Sequence, residues 1–297
     1  MKNLFANDGR QLGDRKDGRL LRELDSLHYV TGILYPNRCD NEAFISETID
    51  LTNVNAYLEK KNCEGIEYRY NLFQIVVTAL MKMITLRPKM NRFIVNDNFY
   101  QRNEVSSAFV VKKLFADNGA EALAFIHAKA DDTLDTIHDE IYKQVSACRS
   151  DKVDSSTDSM NILNKIPRPV SKAAIHGIMW LDKHGWVPSS LIETDPYYSS
   201  CVISNLGSIK MKSGYHHLTN WGTCSMIALI GEIKKQPFLQ PDGSTNVREG
   251  VDIGITIDER IADGYYYAKS MRLFRKLMEN PELLELPLSE PIEYDNE

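Results

Sequence analysis

Residues 251–286, VDIGITIDERIADGYYYAKSMRLFRKLMENPELLEL, contain a strand, a tight charged turn and an amphipathic helix in succession. Isoleucines alternate with small or polar residues in the first part, which is the period of a strand. Asp263-Gly264 supplies a turn, because glycine adopts backbone conformations that other residues avoid. Apolar residues then recur at helical spacing until Asn280-Pro281. Carboxylates at such a junction are either reactive groups or ordinary decoration of a helix N-terminus, which favours negative charge.

The charged turn resembles the active-site segment of the chloramphenicol acetyltransferase and dihydrolipoyl acyltransferase superfamily. In that superfamily a strand ends in His-x-x-x-Asp-Gly, and a helix follows. The matching residues here are Glu259, Asp263 and Gly264. The aspartate and the glycine are present, but a glutamate stands in the place of the catalytic histidine.

A second stretch, residues 202–231, carries the resemblance further: VISNLGSIKMKSGYHHLTNWGTCSMIALIG. Dihydrolipoyl acyltransferases show a similar strand ending in Ser-Asn-Leu-Gly, then a loop and an apolar strand leading to glycine. Earlier segments match in the same order, namely residues 50–54 (DLTNV), the apolar helix that ends in Arg87-Pro88, and residues 91–93 (NRF). The resemblance covers about residues 19–288.

The fold class expected from the pattern of elements alone is α+β, because extended segments outnumber helices and come in runs. The sheet is then mostly antiparallel or mixed. The resemblance implies a two-layer α/β sandwich of the chloramphenicol acetyltransferase type, with a mixed sheet covered by helices. It also implies a homotrimer whose active sites lie between subunits, with coenzyme A and the acyl acceptor entering from opposite ends of a channel.

Roles for individual residues follow from the resemblance. By position, Ser204 donates a hydrogen bond to the tetrahedral oxyanion, and Asp263 pairs with an N-terminal arginine. Arg19 is favoured over Arg15 and Arg22 for that pairing. Asn205, Gly207 and Gly264 flank these positions and are expected to contact coenzyme A. The alternative for Ser204 is a hydroxyl satisfied by the backbone of its own strand.

Glu259 poses a chemical problem as a general base. A free glutamate has a pKa of about 4.3, against about 6.5 for histidine and about 8.5 for a thiol. At about 1.36 kcal/mol per unit, proton transfer from a thiol to glutamate is uphill by about 6 kcal/mol, and to histidine by about 3 kcal/mol. Burial raises the pKa of a carboxyl, whereas Arg260 and the helix N-terminus oppose that shift.

The histidine pair His216-His217 lies on a loop similar in position to one near the superfamily's channel. Histidine has a suitable pKa for a base near neutral pH, so one of the two is a candidate replacement, and His217 is included among the catalytic candidates. The alternative is that both are ordinary loop or interface residues.

Composition excludes several other classes of protein. The chain has 297 residues, a net charge of −6 and no dense basic block, so nucleic acid is not an expected partner. No apolar run is long enough to span a membrane or to serve as a signal peptide, which predicts a cytoplasmic protein. Five scattered cysteines without a CxxC pair indicate free thiols and no metal site.

The expected organisation is an N-terminal arm (residues 1–18), one catalytic domain (residues 19–288) and an acidic tail (residues 289–297), with a polar linker at residues 151–159 inside the domain. Helices are expected at a leucine-bearing segment (Leu20, Leu21, Leu24, Leu27) and at residues 53–61 (N-cap Asn53), 71–86 and 133–149. Extended segments are expected at residues 28–35, 43–51, 105–115, 122–130, 199–206 and 223–234. A hairpin around Asn96-Asp97-Asn98 is expected at residues 92–102, and a second hairpin turn within residues 236–246. Residues 160–186 are expected to be helical, with apolar side chains that either cover a pocket or pack into the core or a subunit contact (Ile175, Ile178, Met179, Trp180, Trp186).

The favoured function is transfer of an acyl group from acyl-CoA to a small hydroxyl or thiol acceptor. No lipoyl domain is recognisable in this chain, so a free acyl-CoA and a diffusing acceptor are expected. One alternative is an inactive trimer that binds coenzyme A or acyl-CoA as a sensor or scaffold. Another is an assembly partner of a 2-oxoacid dehydrogenase complex.

Overall fold

The structure, a computed structural model, describes residues 9–63, 66–112, 121–149 and 165–294. The predicted linker at residues 151–159 and the ends of the segments predicted at 105–115 and 160–186 lie outside the described residues. Within the described part of the chain, none of the helices is both long enough and apolar enough to cross a membrane.

Two sheets organise the chain. The larger has the order β2-β10-β8-β7-β5-β6, with β9 paired to β10, and the smaller has the order β1-β4-β3. The strands are β1 (Gly18–Leu20), β2 (Glu42–Asp50), β3 (Arg92–Val95), β4 (Asn98–Arg102), β5 (Val105–Lys112), β6 (Glu121–Ala128), β7 (Cys201–Asn205), β8 (Met226–Ile230), β9 (Lys234–Leu239) and β10 (Thr245–Asp258). Strand β7 is parallel to both of its neighbours and the other pairs are antiparallel. The α+β class with a mixed sheet is therefore confirmed.

Helices cover the large sheet and also lie at its margins. They are α1 (Ser26–Leu34), α2 (Thr52–Lys61), α3 (Leu72–Leu86), α4 (Leu134–Arg149), α5 (Arg168–Lys183), α6 (Ser189–Thr194) and α7 (Gly264–Glu279). Helix α3 packs against α4, α7 and β5. Its predicted role as the core helix is confirmed, because every residue from Gln74 to Ile84 is buried. Asn71 and Gln74 form a reciprocal capping box at its start, which fixes where the helix begins.

A lysine is buried in the middle of α3. The side chain of Lys82 is fully buried, and its Nζ donates to the carbonyls of Leu286 (3.0 Å) and Pro287 (2.7 Å). Burial disfavours the charged form and lowers the pKa of Lys82 to about 8. The segment that follows the last helix is thereby tied to the core.

The N-terminal region departs from the prediction. Leu20 lies in β1 and not in a helix, and residues 28–35, predicted as extended, belong to α1 and its C-cap. The carboxylate of Asp25 caps α1 by accepting from the backbone N–H groups of Leu27 and His28. This cap overrides the weak strand preference of the aromatic and β-branched residues in the helix.

Two smaller expectations are also corrected. Asn53 does not cap α2, since Leu51 occupies the N-cap and the Asn53 amide donates to the carbonyl of Glu279. The prediction that this helical segment packs into the core is wrong for its described residues. Trp180 of α5 is 53% exposed, and Trp186, just beyond the end of the helix, is 60% exposed. The helix lies at the surface, which leaves the pocket cover and the subunit contact as the remaining alternatives.

The described part of the N-terminal arm is anchored to α5. Arg15 is buried and pairs with Asp17 (2.9 Å) and with Asp182 of α5 (2.7 Å). Residues from Arg15 onward therefore pack against the body of the protein.

Candidate functional site

The end of β7 opens onto a cavity of about 520 Å³. Ser204 and Asn205, the last two residues of the strand, line it together with His216. Ser204 is half-buried, and among the described residues its hydroxyl has no hydrogen-bond partner. The alternative of a backbone-satisfied hydroxyl therefore does not apply within the described chain. Most of the other lining residues are apolar, among them Phe73, Phe109, Val202, Leu206, Ile227 and Leu229.

The turn after β7 is shaped by an asparagine and a glycine. The side chain of Asn205 accepts a hydrogen bond from the backbone of Ser208 (3.3 Å) and caps the short helix Leu206–Ile209. A Cβ at Gly207 would lie 2.6 Å from the carbonyl oxygen of Gly231. Both predicted ligand contacts therefore also hold the local backbone, and Gly207 is required by packing alone.

Glu259 starts a 3-10 turn (Glu259–Ile261) directly after β10. Its backbone N–H donates to the carbonyl of Asn41 at 2.9 Å, and its side chain is exposed to solvent in the single chain. The apolar surroundings that a carboxylate base needs are therefore not supplied by its own subunit.

A buried ion cluster lies beneath this turn. The carboxylate of Asp258 is fully buried and accepts from Nε (2.8 Å) and Nη2 (2.6 Å) of Arg260. Arg38 lies 3.8 Å from the same carboxylate, and burial lowers the pKa of Arg38 although Asp258 opposes that shift. The guanidinium of Arg260 is therefore paired with Asp258 inside the protein. This cluster was not predicted from the sequence, although Asp258-Glu259-Arg260 was noted as a charged turn.

Asp263 and Gly264 begin α7. The side chain of Asp263 caps the helix by accepting from the backbone N–H of Tyr266 (2.8 Å), and this bond lowers the pKa of Asp263. Lys89 is 3.8 Å away. Nothing lies within 4 Å of where a Cβ of Gly264 would stand.

Two of the arginines considered as partners of Asp263 are paired with other carboxylates. Arg15 pairs with Asp17 and Asp182, and Arg22 lies 3.3 Å from Asp14. Arg19 lies in β1, opposite Gln101 of β4. Asp263 is held by the helix that it caps and by Lys89, and its pairing with Arg19 stays a prediction.

The two adjacent histidines serve different parts of the molecule. His216 lines the Ser204 cavity, and its Nδ1 lies 2.9 Å from the carbonyl oxygen of His217. His217 is 87% exposed, and its Nδ1 lies 3.3 Å from Oε2 of Glu42. The other oxygen of Glu42 accepts from the backbone N–H of Leu218 at 2.5 Å, and the Glu42 side chain is only 6% exposed.

The register of the sheet separates the two candidate half-sites. Ser204 is opposite Leu229 of β8, which is opposite Gly254 of β10. Glu259 lies five residues further along, or roughly 17 Å at the rise of a strand, and two strands away at about 4.8 Å each. Ser204 and Glu259 of one chain therefore do not meet. Among the residues that the structure describes, no group of three or more His, Cys, Asp or Glu residues is placed to hold a metal ion.

A family model describes the segment that contains both half-sites. Residues 190–286 match the catalytic domain of the 2-oxoacid dehydrogenase acyltransferases. No curated protein sequence matches the chain significantly.

Solved structures resemble the whole described fold. The cubic core of a pyruvate dehydrogenase multienzyme complex is 12% identical, with a TM-score of 0.60 over 90% of this chain and 95% of that one. A probable dihydrolipoamide acetyltransferase from Listeria monocytogenes is 15% identical, with a TM-score of 0.56 over 91% and 96%. A chloramphenicol acetyltransferase is 12% identical, with a TM-score of 0.52 over 90% and 99%. At these identities the likeness establishes the fold. Residues 190–286 thus match the model of the 2-oxoacid dehydrogenase acyltransferase catalytic domain, in a chain with the fold shared by chloramphenicol acetyltransferase and the dihydrolipoamide acetyltransferase cores.

Proposed function

We propose that the protein is a CoA-dependent acyltransferase that moves an acyl group from acyl-CoA to a small hydroxyl or thiol acceptor. The observation that carries the proposal is the hydroxyl of Ser204, which lines a largely apolar cavity without a hydrogen-bond partner among the described residues, within the segment that matches an acyltransferase catalytic domain. A hydroxyl that is not already bonded to protein is available to a ligand, and an apolar cavity strengthens the hydrogen bond that it donates.

Ser204 is the proposed donor to the oxyanion. Attack on a thioester carbonyl places negative charge on the carbonyl oxygen, and a preorganised donor stabilises that charge in the transition state. Asn205 and Gly207 shape the turn beside Ser204, so they are proposed to border the coenzyme A side of the cavity.

The active site is proposed to form between copies of the chain in a homotrimer. This follows from the register, because Ser204 and the turn at Glu259 of one chain are too far apart to act on one thioester. Exposure of Glu259 in the single chain supports the same arrangement, since a second subunit would enclose it. In this arrangement Ser204 of one subunit and the 259–264 turn of another face the acceptor, with Asp263 holding that turn on α7.

Ligand binding followed by turnover tests this function. Thermal unfolding is measured with coenzyme A, acetyl-CoA and longer acyl-CoAs, and thioester consumption is then followed with dihydrolipoamide as a thiol probe and chloramphenicol as a hydroxyl probe. We expect stabilisation by at least one donor and consumption that depends on Ser204. If Ser204→Ala and Glu259→Gln both left transfer from every active donor unchanged, the assignment would be wrong.

A second candidate function is a non-catalytic trimer that binds coenzyme A or acyl-CoA. The residue that favours it is Glu259, since a carboxylate stands where the superfamily has its histidine. It predicts thermal stabilisation by the ligand without thioester consumption. Absence of binding at millimolar coenzyme A would exclude it.

A further inference from the structure

We propose that His217, held by Glu42, is the general base of the acyl transfer, in place of a residue at position 259. This inference rests on the proposed function and names the group that takes the acceptor's proton. The observations that carry it are the imidazole–carboxylate pair at 3.3 Å and its attachment to the turn that bears Glu259.

Glu42 is built to orient an imidazole. Its side chain is nearly buried, and one carboxylate oxygen is held by the backbone N–H of Leu218. The second oxygen faces Nδ1 of His217. A proton on Nδ1 is thereby favoured, which leaves Nε2 unprotonated and able to accept a proton. The same pattern of a carboxylate that fixes the tautomer of a base occurs in hydrolase triads.

His217 belongs to the same half-site as Glu259. Glu42 is directly opposite Asp258 in the β2–β10 register, and Asn41 accepts from the backbone N–H of Glu259. The loop that carries His217 is bonded to the same segment, because Arg38 donates to the carbonyl of Thr219 at 2.7 Å. The imidazole therefore lies against β2, the strand that pairs with the end of β10 next to position 259.

The charged groups around His217 are arranged in two layers. The buried layer contains one carboxylate and the two arginines that pair with it. The outer layer contains two further carboxylates and the neighbouring histidine. Asp258, Arg38 and Arg260 form the buried layer. In the outer layer Glu42 faces Nδ1 of the ring, His216 contacts the carbonyl of His217, and Glu259 is bonded through its backbone to Asn41, next to Glu42. The carboxylate nearest to the ring favours the imidazolium that forms when the base accepts a proton.

The proton and the acyl group balance as follows. Nε2 of His217 takes the proton of the acceptor hydroxyl or thiol, and the resulting oxygen or sulfur anion attacks the thioester carbonyl. The oxyanion of the tetrahedral intermediate accepts a hydrogen bond from Ser204 of the facing subunit. The intermediate then expels the thiolate of coenzyme A. The imidazolium returns its proton to that thiolate, so acyl-CoA and acceptor give acylated acceptor and coenzyme A with the base unchanged.

The decisive variants are His217→Ala, Glu42→Gln and Glu259→Gln, with His127→Ala as the matched control. His127 also pairs with a glutamate, Glu104 at 3.1 Å, but it lies on β6 at the opposite edge of the sheet. We expect His217→Ala to lower kcat/KM by about 100-fold or more, as for loss of a general base. Glu42→Gln lowers it less, and His127→Ala leaves it unchanged.

Two readouts separate catalysis from a merely structural role. The dependence of kcat/KM on pH is expected to change in His217→Ala and to keep its wild-type form in Glu259→Gln. Nitrogen chemical shifts of the His217 ring are expected to show a proton on Nδ1 in the wild-type protein and a change of tautomer in Glu42→Gln, because an amide can donate to Nδ1.

Mixed oligomers test the placement across the subunit boundary. Ser204→Ala and His217→Ala subunits that assemble at random form intact sites at about a quarter of their interfaces, if the two residues come from different chains. We therefore expect about a quarter of the wild-type activity from the mixture and almost none from either variant alone.

Each contrary result has a distinct meaning. Normal activity of His217→Ala alongside a large loss in Ser204→Ala overturns the base assignment and leaves the acyltransferase function standing. A changed pH dependence in Glu259→Gln instead assigns the base to Glu259. Wild-type protein that consumes no thioester with either probe overturns the proposed function, and the role of His217 with it.

Discussion

The carboxyl ends of β7 and β10 differ in what their polar groups contact. At the end of β7, the hydroxyl of Ser204 has no partner among the described residues and borders a cavity. At the end of β10, the carboxylate of Asp258 is bonded to Arg260, and the cap of Asp263 is bonded to its own helix. One end leaves hydrogen-bonding capacity for a ligand, and the other uses it to hold a turn in place.

In the proposed intersubunit site, this difference assigns two separate requirements to the two strand ends. A group that binds the reacting atoms must remain available, whereas the turn that faces it must be rigid, because a small misplacement costs much rate. The buried Asp258 cluster supplies that rigidity without touching the cavity. Substitutions at each end test whether the two ends are as distinct as their contacts indicate.

The largest expected effect is on stability at the β10 end. Asp258→Ala leaves two buried guanidinium groups without their carboxylate, and breaking a buried ion pair costs about 3–5 kcal/mol. Urea unfolding of the two proteins measures this difference. Asp252→Ala is the matched control on the same strand, because its partly exposed pair with Lys234 contributes under about 1 kcal/mol. Equal losses in both variants would remove the distinction between the cluster and a surface pair.

The next effect is on catalysis at the β7 end. Removing one oxyanion donor lowers kcat by about 10²–10³-fold, so Ser204→Ala is expected to lose that much while its unfolding midpoint hardly changes. Ser204→Thr keeps a hydroxyl and is expected to retain more activity. Steady-state kinetics and denaturant unfolding are measured on the same samples. A Ser204→Ala protein that is destabilised as strongly as Asp258→Ala would show that this end is also structural.

A pair of glycines provides the next comparison. Gly207→Ala places a methyl group 2.6 Å from the carbonyl oxygen of Gly231, and such overpacking costs about 1–3 kcal/mol. Gly264→Ala meets nothing within 4 Å and is expected to change stability by less than about 0.5 kcal/mol. Thermal unfolding of both variants measures the contrast. If acyl-CoA binding falls in Gly264→Ala without a change in stability, that glycine contacts the ligand.

The smallest effect concerns the cap of α7 and depends on pH. Asp263→Ala removes an N-cap bond and is expected to cost about 1 kcal/mol at neutral pH. The hydrogen bond from the backbone of Tyr266 holds the pKa of Asp263 below its value in the unfolded chain. The ionised carboxylate therefore stabilises the fold fully above the unfolded pKa, and this stabilisation is lost as pH falls through the folded pKa. The difference between the two proteins should therefore shrink on acidification. A difference that grows toward acid pH would contradict the cap.

Much of the fold was predictable because neighbouring residues determine it. Helix α3 combines a capping asparagine, a continuous apolar stretch and a following proline, and each of these signals is local. The β3–β4 hairpin was equally visible, since Asn96 and Asp97 tolerate the positive φ angles found there (49° and 61°). Helix α1 was missed because its aromatic and β-branched residues resemble a strand and its cap is a single aspartate.

The candidate site was predictable only in part. The positions of Ser204, Glu259 and Asp263 followed from motif resemblance, which is again a local pattern. Contacts between distant parts of the chain could not be read from it. Arg38 meets Asp258 because the β2–β10 register brings their segments together, and Glu42 meets His217 through the loop that leads into β8. No periodicity in the sequence specifies either contact.

Lys82 has a consequence for the synthesis of the chain. Within the described parts of the chain, its ammonium group donates to the carbonyls of Leu286 and Pro287, about 200 residues later. While a nascent chain is still on the ribosome and ends before residue 286, α3 would have to bury an unsatisfied cation, which is unfavourable. Core closure is therefore coupled to completion of translation, and prematurely terminated chains would retain an incompletely closed core that proteases and chaperones can recognise.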